Sequence, residues 1–175
     1  KGVDDGGDVT GVFADDTGVW VEVLRGVQVR VLDENGVVDE ARVTRPGLPF
    51  ADGYVRLRKL GDDAQVLFFN HEQKLVDSGV VAFSSMLRIA GLAVRPSPEG
   101  DRLYVAAHEL VQKTPGAKPT RDVIVVVEAQ KTRTGLRELA RTSTKASPEF
   151  VPMKELVTTS TGVAHLYVAS LQPTG

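Results

Sequence analysis

Residues 27–32 alternate without a fault: Val27, Val29 and Val31 interleave with Gln28 and Arg30. A period of two places the valines on one face of a strand and the polar pair on the other. Helical spacing is nearly absent from the chain. Short valine-rich runs recur instead, bounded by Gly, Asp, Asn and Pro, and they predict an all-β protein. Residues 18–24 read as a strand with partial alternation. Asp33-Glu34-Asn35-Gly36 follows residues 27–32, and Asn-Gly is a strong hairpin signal because both residues tolerate positive φ. Residues 37–43 are expected to return as a strand.

The same phrase recurs downstream. Residues 65–69 run into Asn70-His71-Glu72-Gln73-Lys74 and return at Leu75-Val76. Residues 123–127 run into Glu128-Ala129-Gln130-Lys131 and return near Leu136–Leu139. A second phrase precedes each of these: Gly18-Val19-Trp20-Val21, Gly53-Tyr54-Val55-Arg56 and Leu103-Tyr104-Val105-Ala106. A fourth copy stands at His165-Leu166-Tyr167-Val168-Ala169. Trp20, Tyr54, Tyr104 and Tyr167 therefore mark four equivalent strands. Repetition of four-stranded units at this spacing is the mark of propeller blades, with insertions at Gln112–Thr120 and Thr142–Pro152.

Gly91-Leu92-Ala93-Val94-Arg95-Pro96, followed by Glu99-Gly100-Asp101-Arg102-Leu103-Tyr104-Val105-Ala106, resembles a blade of the bacterial YVTN and NHL-like β-propellers. The likeness is best over residues 90–141. It implies a single all-β domain over 1–175 with antiparallel four-stranded blades at 10–44, 46–83 and 89–142, and half a blade at 148–170. Propellers close with four to eight blades, so three and a half imply an incomplete ring. A protein partner, or a further chain segment, is expected to complete the last blade. A β-sandwich is the alternative architecture for such short strands.

Composition narrows the chemistry. At 42% hydrophobic and 25% charged the chain has the make-up of a globular domain with a core. The formal charge of −2 gives no global field for nucleic acid or an anionic membrane. Residues 1–100 hold 16 acids against 11 bases, and 101–175 hold 7 against 10, which reads as a solvated surface. With no cysteine, disulfides, thiolate catalysis and cysteine-ligated metals are excluded. No apolar run approaches the length of a membrane-spanning helix.

Candidate chemistry is sparse. Asp4, Asp5 and Asp8 cluster in a glycine-rich stretch without an EF-hand pattern. Asp15-Asp16-Thr17-Gly18 has the form of an ordinary turn. His71, His108 and His165 lack metal-ligand spacing, although propeller loops could bring His108 and His165 to one face. Ser84-Ser85 reads as a strand end, and no nucleophile elbow, P-loop or dinucleotide fingerprint is present. Lys131, Arg133, Arg137, Arg141 and Lys145 form the densest basic stretch, without the interleaved aromatics of a nucleic-acid site, and read as a solvated outer strand. The aromatics, Phe68 and Phe69 among them, read as packing between blades. No catalytic, cofactor-binding or metal residue is assigned, and no cofactor is expected.

The functional expectation is a non-catalytic binding or scaffold module, a structural component of a larger protein assembly. The resemblance to bacterial propellers implies an extracytoplasmic site, periplasmic or secreted. The alternatives are a propeller enzyme of lactonase or quinoprotein type with a central metal or cofactor, and a virion or appendage protein built on a β-sandwich.

Overall fold

The computed structural model describes residues 11–23, 26–111, 121–145, 152–158 and 164–170. The protein is all-β, with no helix among these residues. The first sheet runs β1 (Gly11–Asp15), β2 (Gly18–Val23), β3 (Val27–Leu32) and β4 (Thr44–Arg45), with neighbours in the chain neighbours in the sheet. The second repeats that order with β5 (Leu48–Phe50), β6 (Gly53–Leu60), β7 (Asp63–Phe69) and β8 (Leu75–Val81). The third does so with β9 (Met86–Arg95), β10 (Arg102–Val111), β11 (Arg121–Thr132) and β12 (Gly135–Lys145). A separate pair follows, β13 (Pro152–Thr158) and β14 (Ala164–Ser170). The three four-stranded sheets are antiparallel. Trp20, Tyr54, Tyr104 and Tyr167 each fall in the second strand of their sheet.

The turns show why the backbone reverses where it does. At Asp33–Gly36 the Gly36 amide donates to the Asp33 carbonyl at 3.0 Å, and the Asp33 amide donates to Val37 O at 2.8 Å. Asp33 Oδ1 also accepts from the amides of Asn35 and Val37, both at 2.9 Å. Only Gly36 takes positive φ (76°), so Glu34 and Asn35 are the central residues and Gly36 follows in the left-handed region. The second sheet has the same turn. Gln73 N donates to Asn70 O at 2.9 Å, Asn70 N to Lys74 O at 3.0 Å, and Gln73 takes φ 63°. Asn70 Oδ1 accepts from Lys74 N at 2.9 Å, the role Asp33 plays toward Val37.

Two expected elements are corrected. Residues 37–43 do not return as a strand: only Val38 bridges, to Leu32, and pairing resumes at Thr44–Arg45. The segment keeps two backbone bonds to β3, Asp39 N to Val31 O at 3.0 Å and Arg30 N to Val43 O at 2.9 Å, but between them the Asp39 carboxylate takes the Ala41 amide and the Arg30 guanidinium, and the ladder is interrupted. Residues 128–131 are not a turn. β11 continues through them and reverses at Arg133-Thr134, where Thr132 Oγ1 accepts from Thr134 N and Gly135 takes φ 130°. The polar residues stay in the ladder because they are satisfied there: Gln130 Nε2 donates to Glu99 O at 2.6 Å, and Tyr104 Oη donates to Glu128 Oε1 at 3.3 Å. β12 likewise extends through 142–145, part of the expected insertion. Residues 112–120 lie outside the described residues.

The chain divides into two compact units, residues 1–56 with 68–76, and 57–67 with 77–175. In the first, Gln73 Nε2 donates to Thr44 O at 3.0 Å, and the Arg56 guanidinium lies 5.0 Å from the Phe69 ring centre. Phe50 and Phe68 rings meet at 5.4 Å. In the second unit the third sheet carries the densest core: Leu103, Val105, Ile124 and Val127 are fully buried. Residues 77–83 lie against that sheet. Lys131 Nζ reaches Asp77 Oδ2 at 2.8 Å, Arg141 Nη2 donates to Ala82 O at 2.7 Å, and a Cβ added at Gly79 would strike Leu136. β13 runs alongside β9 without joining its hydrogen-bonded sheet.

Candidate functional site

The faces of the first sheet are used in an unusual sense. Register pairs Phe13 with Trp20, Trp20 with Arg30, Glu22 with Gln28, and Gln28 with Arg45, which sets these residues on one face. Val12, Val21 and Val29 pair across the other face, joined by Val19, Val23 and Val27. The polar face is the buried one. Gln28 is 0% exposed, Arg45 3% and Trp20 4%, whereas Val19, Val21, Val23, Val27 and Val29 are half-buried and Val12 is exposed. Buried polar groups are the informative exception to ordinary burial, so this cluster is the candidate site.

Arg45 is its centre. Its Nη1 donates to Asp15 Oδ2 at 2.6 Å and its Nε to Gln28 Oε1 at 2.7 Å. Its guanidinium carbon lies 3.9 Å from the Trp20 ring centre, within cation–π range. Asp15, closing the β1–β2 turn, is held from the other side: Thr17 N and Thr17 Oγ1 donate to Oδ1 at 2.9 and 2.5 Å. Trp20 Nε1 donates to Thr17 Oγ1 at 3.1 Å and to Asp15 Oδ1 at 3.3 Å. Gly18 makes the turn possible. It takes φ 130°, and a Cβ there would sit 2.1 Å from Leu32 O. Arg30 Nε donates to Asp39 Oδ2 at 2.6 Å, with its guanidinium 5.9 Å from the Trp20 ring centre.

The charges are tuned by these contacts. Burial alone would raise the Asp15 carboxyl, but hydrogen bonds from Thr17 and Arg45 outweigh it and hold it below the ordinary value. Burial lowers the Arg45 pKa, and the bond and charge of Asp15 offset only part of that shift. Asp39 is held low first by the bond from Arg30. Two buried donors, Arg45 Nη2 and Gln28 Nε2, end on no acceptor among the described residues. The arrangement clamps an indole and a guanidinium beneath a hairpin: Asp15 is engaged by four donors from Thr17, Trp20 and Arg45, and Asp39 by Arg30 and the Ala41 amide.

The other residues read from sequence fall in separate places. His71 is exposed in the second sheet's turn. His108 is buried on β10 opposite Ile124 and Arg88, and His165 is a β14 residue opposite Val157. Ser84 lies in the bend before β9, where its amide donates to Glu109 Oε1 at 2.7 Å. Of the basic stretch, Lys131 pairs with Asp77, Arg141 with Glu138 at 2.7 Å, and Arg137 Nη2 donates to Gln130 Oε1 at 2.8 Å. Asp4, Asp5 and Asp8 lie outside the described residues. Among the described residues no group of three or more His, Cys, Asp or Glu is placed to hold a metal. Asp15 was legible as a turn residue; Arg45 was not. The available signal was Gln28 between two valines: a polar side chain alternating into a face that must be covered needs a partner there.

Comparison with protein-family models, with curated proteins and with solved structures finds no match to this protein.

Proposed function

We propose that this protein is a non-catalytic binding or scaffold module of the β-propeller type, a structural component of a protein assembly outside the cytoplasm. The observation that carries the reading is the placement of β13 alongside β9. The first strand of one unit lies next to the first strand of the unit before it, as radial repetition about an axis requires of innermost strands. The valine face of the first sheet supports it too. Six β-branched apolar residues without a charge make a surface suited to packing on another sheet. The polar cluster fits a structural role, because its charges are directed at each other.

Among the described residues β14 pairs with β13 alone, where the second strands of the other sheets carry a third and a fourth. The proposed partner contact is therefore completion of this pair by further strands. Photo-crosslinking residues placed singly along β14 in the native cell test it. The reading expects adducts with a polypeptide that map onto β14. Adducts absent at every β14 position, together with turnover of a lactone or alcohol substrate by the purified protein, would replace it with the enzyme reading.

A further inference from the structure

We infer that Asn35 is a site of spontaneous covalent modification, converting to aspartate and isoaspartate through a succinimide. Asn35 and Gly36 are both exposed at the tip of the β3 hairpin. The Asn35 carboxamide has no hydrogen-bond partner among the described residues. Gly36 has no side chain to crowd its own amide nitrogen, and a Cβ built on it meets nothing within 4 Å, so the backbone there is open to solvent on that side.

The chemistry needs water alone. The Gly36 amide nitrogen gives up its proton to solvent base and attacks Asn35 Cγ. A new bond forms between that nitrogen and Cγ and closes a five-membered imide. The bond from Cγ to the Asn35 Nδ2 breaks, and ammonia leaves. Water then opens the imide at either carbonyl. One product is aspartate; the other is isoaspartate, in which the backbone runs through Cβ and Cγ of residue 35. Each adds a carboxylate beside Asp33 and Glu34, and isoaspartate lengthens the backbone inside the turn.

Two features of the fold set where and how fast this happens. The attacking nitrogen is engaged, because Gly36 N donates to Asp33 O at 3.0 Å. The turn must open first, and an exposed turn opens at a small part of the global unfolding free energy. The Asp33 carboxylate opposes opening through its bonds to Asn35 N and Val37 N. The second asparagine, Asn70, is protected: its Oδ1 holds Lys74 N, and the next residue is His71, whose imidazole crowds the attacking amide as no glycine would.

The test is peptide mass mapping of the full protein held in mildly alkaline buffer, with isoaspartate assayed enzymatically. The expected result is a gain of one mass unit and isoaspartate at position 35, with Asn70 unchanged and N35Q inert. Asp33→Ala, which loses these bonds, is expected to react about two- to tenfold faster. An unfolded synthetic peptide spanning residues 30–42 sets the upper rate. The inference is overturned if Asn35 stays intact while that peptide is consumed, or if Asn70 reacts as fast as Asn35. An unchanged rate in Asp33→Ala would overturn the dependence on turn opening.

Discussion

Asp15→Ala separates a structural clamp from a surface decoration. The substitution removes the only carboxylate bonded to Arg45 among the described residues, and the Arg45 side chain is 4% exposed against 23% for Asp15. Arg45 then keeps the Gln28 carbonyl and the Trp20 face, and its charge is left largely uncompensated. Removing one partner of a buried pair costs about 3–5 kcal/mol, and the partial exposure of Asp15 puts this case near the lower end, about 3 kcal/mol. Trp20 supplies the assay, because it is the only tryptophan and sits in the cluster. Its fluorescence followed through urea titration reports unfolding of the unit that holds it. The double variant D15A with R45M removes both charges and is expected to recover most of the loss, since an apolar replacement of a buried pair is often neutral or stabilising. A loss under about 1 kcal/mol in D15A would show the pair to behave as an exposed one and would refute the clamp.

Gly18→Ala is expected to cost at least about 3 kcal/mol by the same fluorescence assay, because positive φ and a collision with Leu32 O combine there. Gly61→Ala, at φ 59° with open space around it, should cost only about 1 kcal/mol. Leu103→Ala in the third sheet should cost about 2–5 kcal/mol in circular-dichroism melts, whereas Lys131→Ala, at a half-exposed pair with Asp77, should cost less than about 1 kcal/mol. Asp15, Asp39, Asp77 and Glu138 are all held below their ordinary values of 3.8 and 4.5. Their contribution is therefore present above those values and lost as pH falls beneath them, because the unfolded state takes up protons first. A urea midpoint that stays constant as pH drops through that window refutes this.

Much of the fold was legible because strand periodicity is local. Val27, Val29 and Val31 announce β3, and the aromatic phrases at Trp20, Tyr54, Tyr104 and Tyr167 mark the second strand of each sheet. What failed was polarity used as a turn signal. Glu128 and Gln130 look like turn residues, yet cross-strand partners on β10 and the Glu99 carbonyl keep them in the ladder. The Glu99 carbonyl is 31 positions from Gln130, and nothing local reveals it. The same distance hid the candidate site. Arg45 meets Asp15 across 30 positions and Gln28 across 17. Alternation also says that two faces differ without saying which is covered, and here the covered face is the polar one.

The central proposal is that successive sheets are blades about one axis. The sequence has no cysteine, so spin labels can be attached at introduced cysteines in the exposed turns between third and fourth strands: Glu34, Glu72 and Arg133. Double electron–electron resonance then gives three pairwise distances. Four to eight equally spaced blades predict equal separations for Glu34–Glu72 and Glu72–Arg133, with Glu34–Arg133 longer by about 1.4 to 1.8 times. A Glu34–Arg133 distance equal to or shorter than either neighbour distance would mean that the sheets fold back on one another, and would contradict the account.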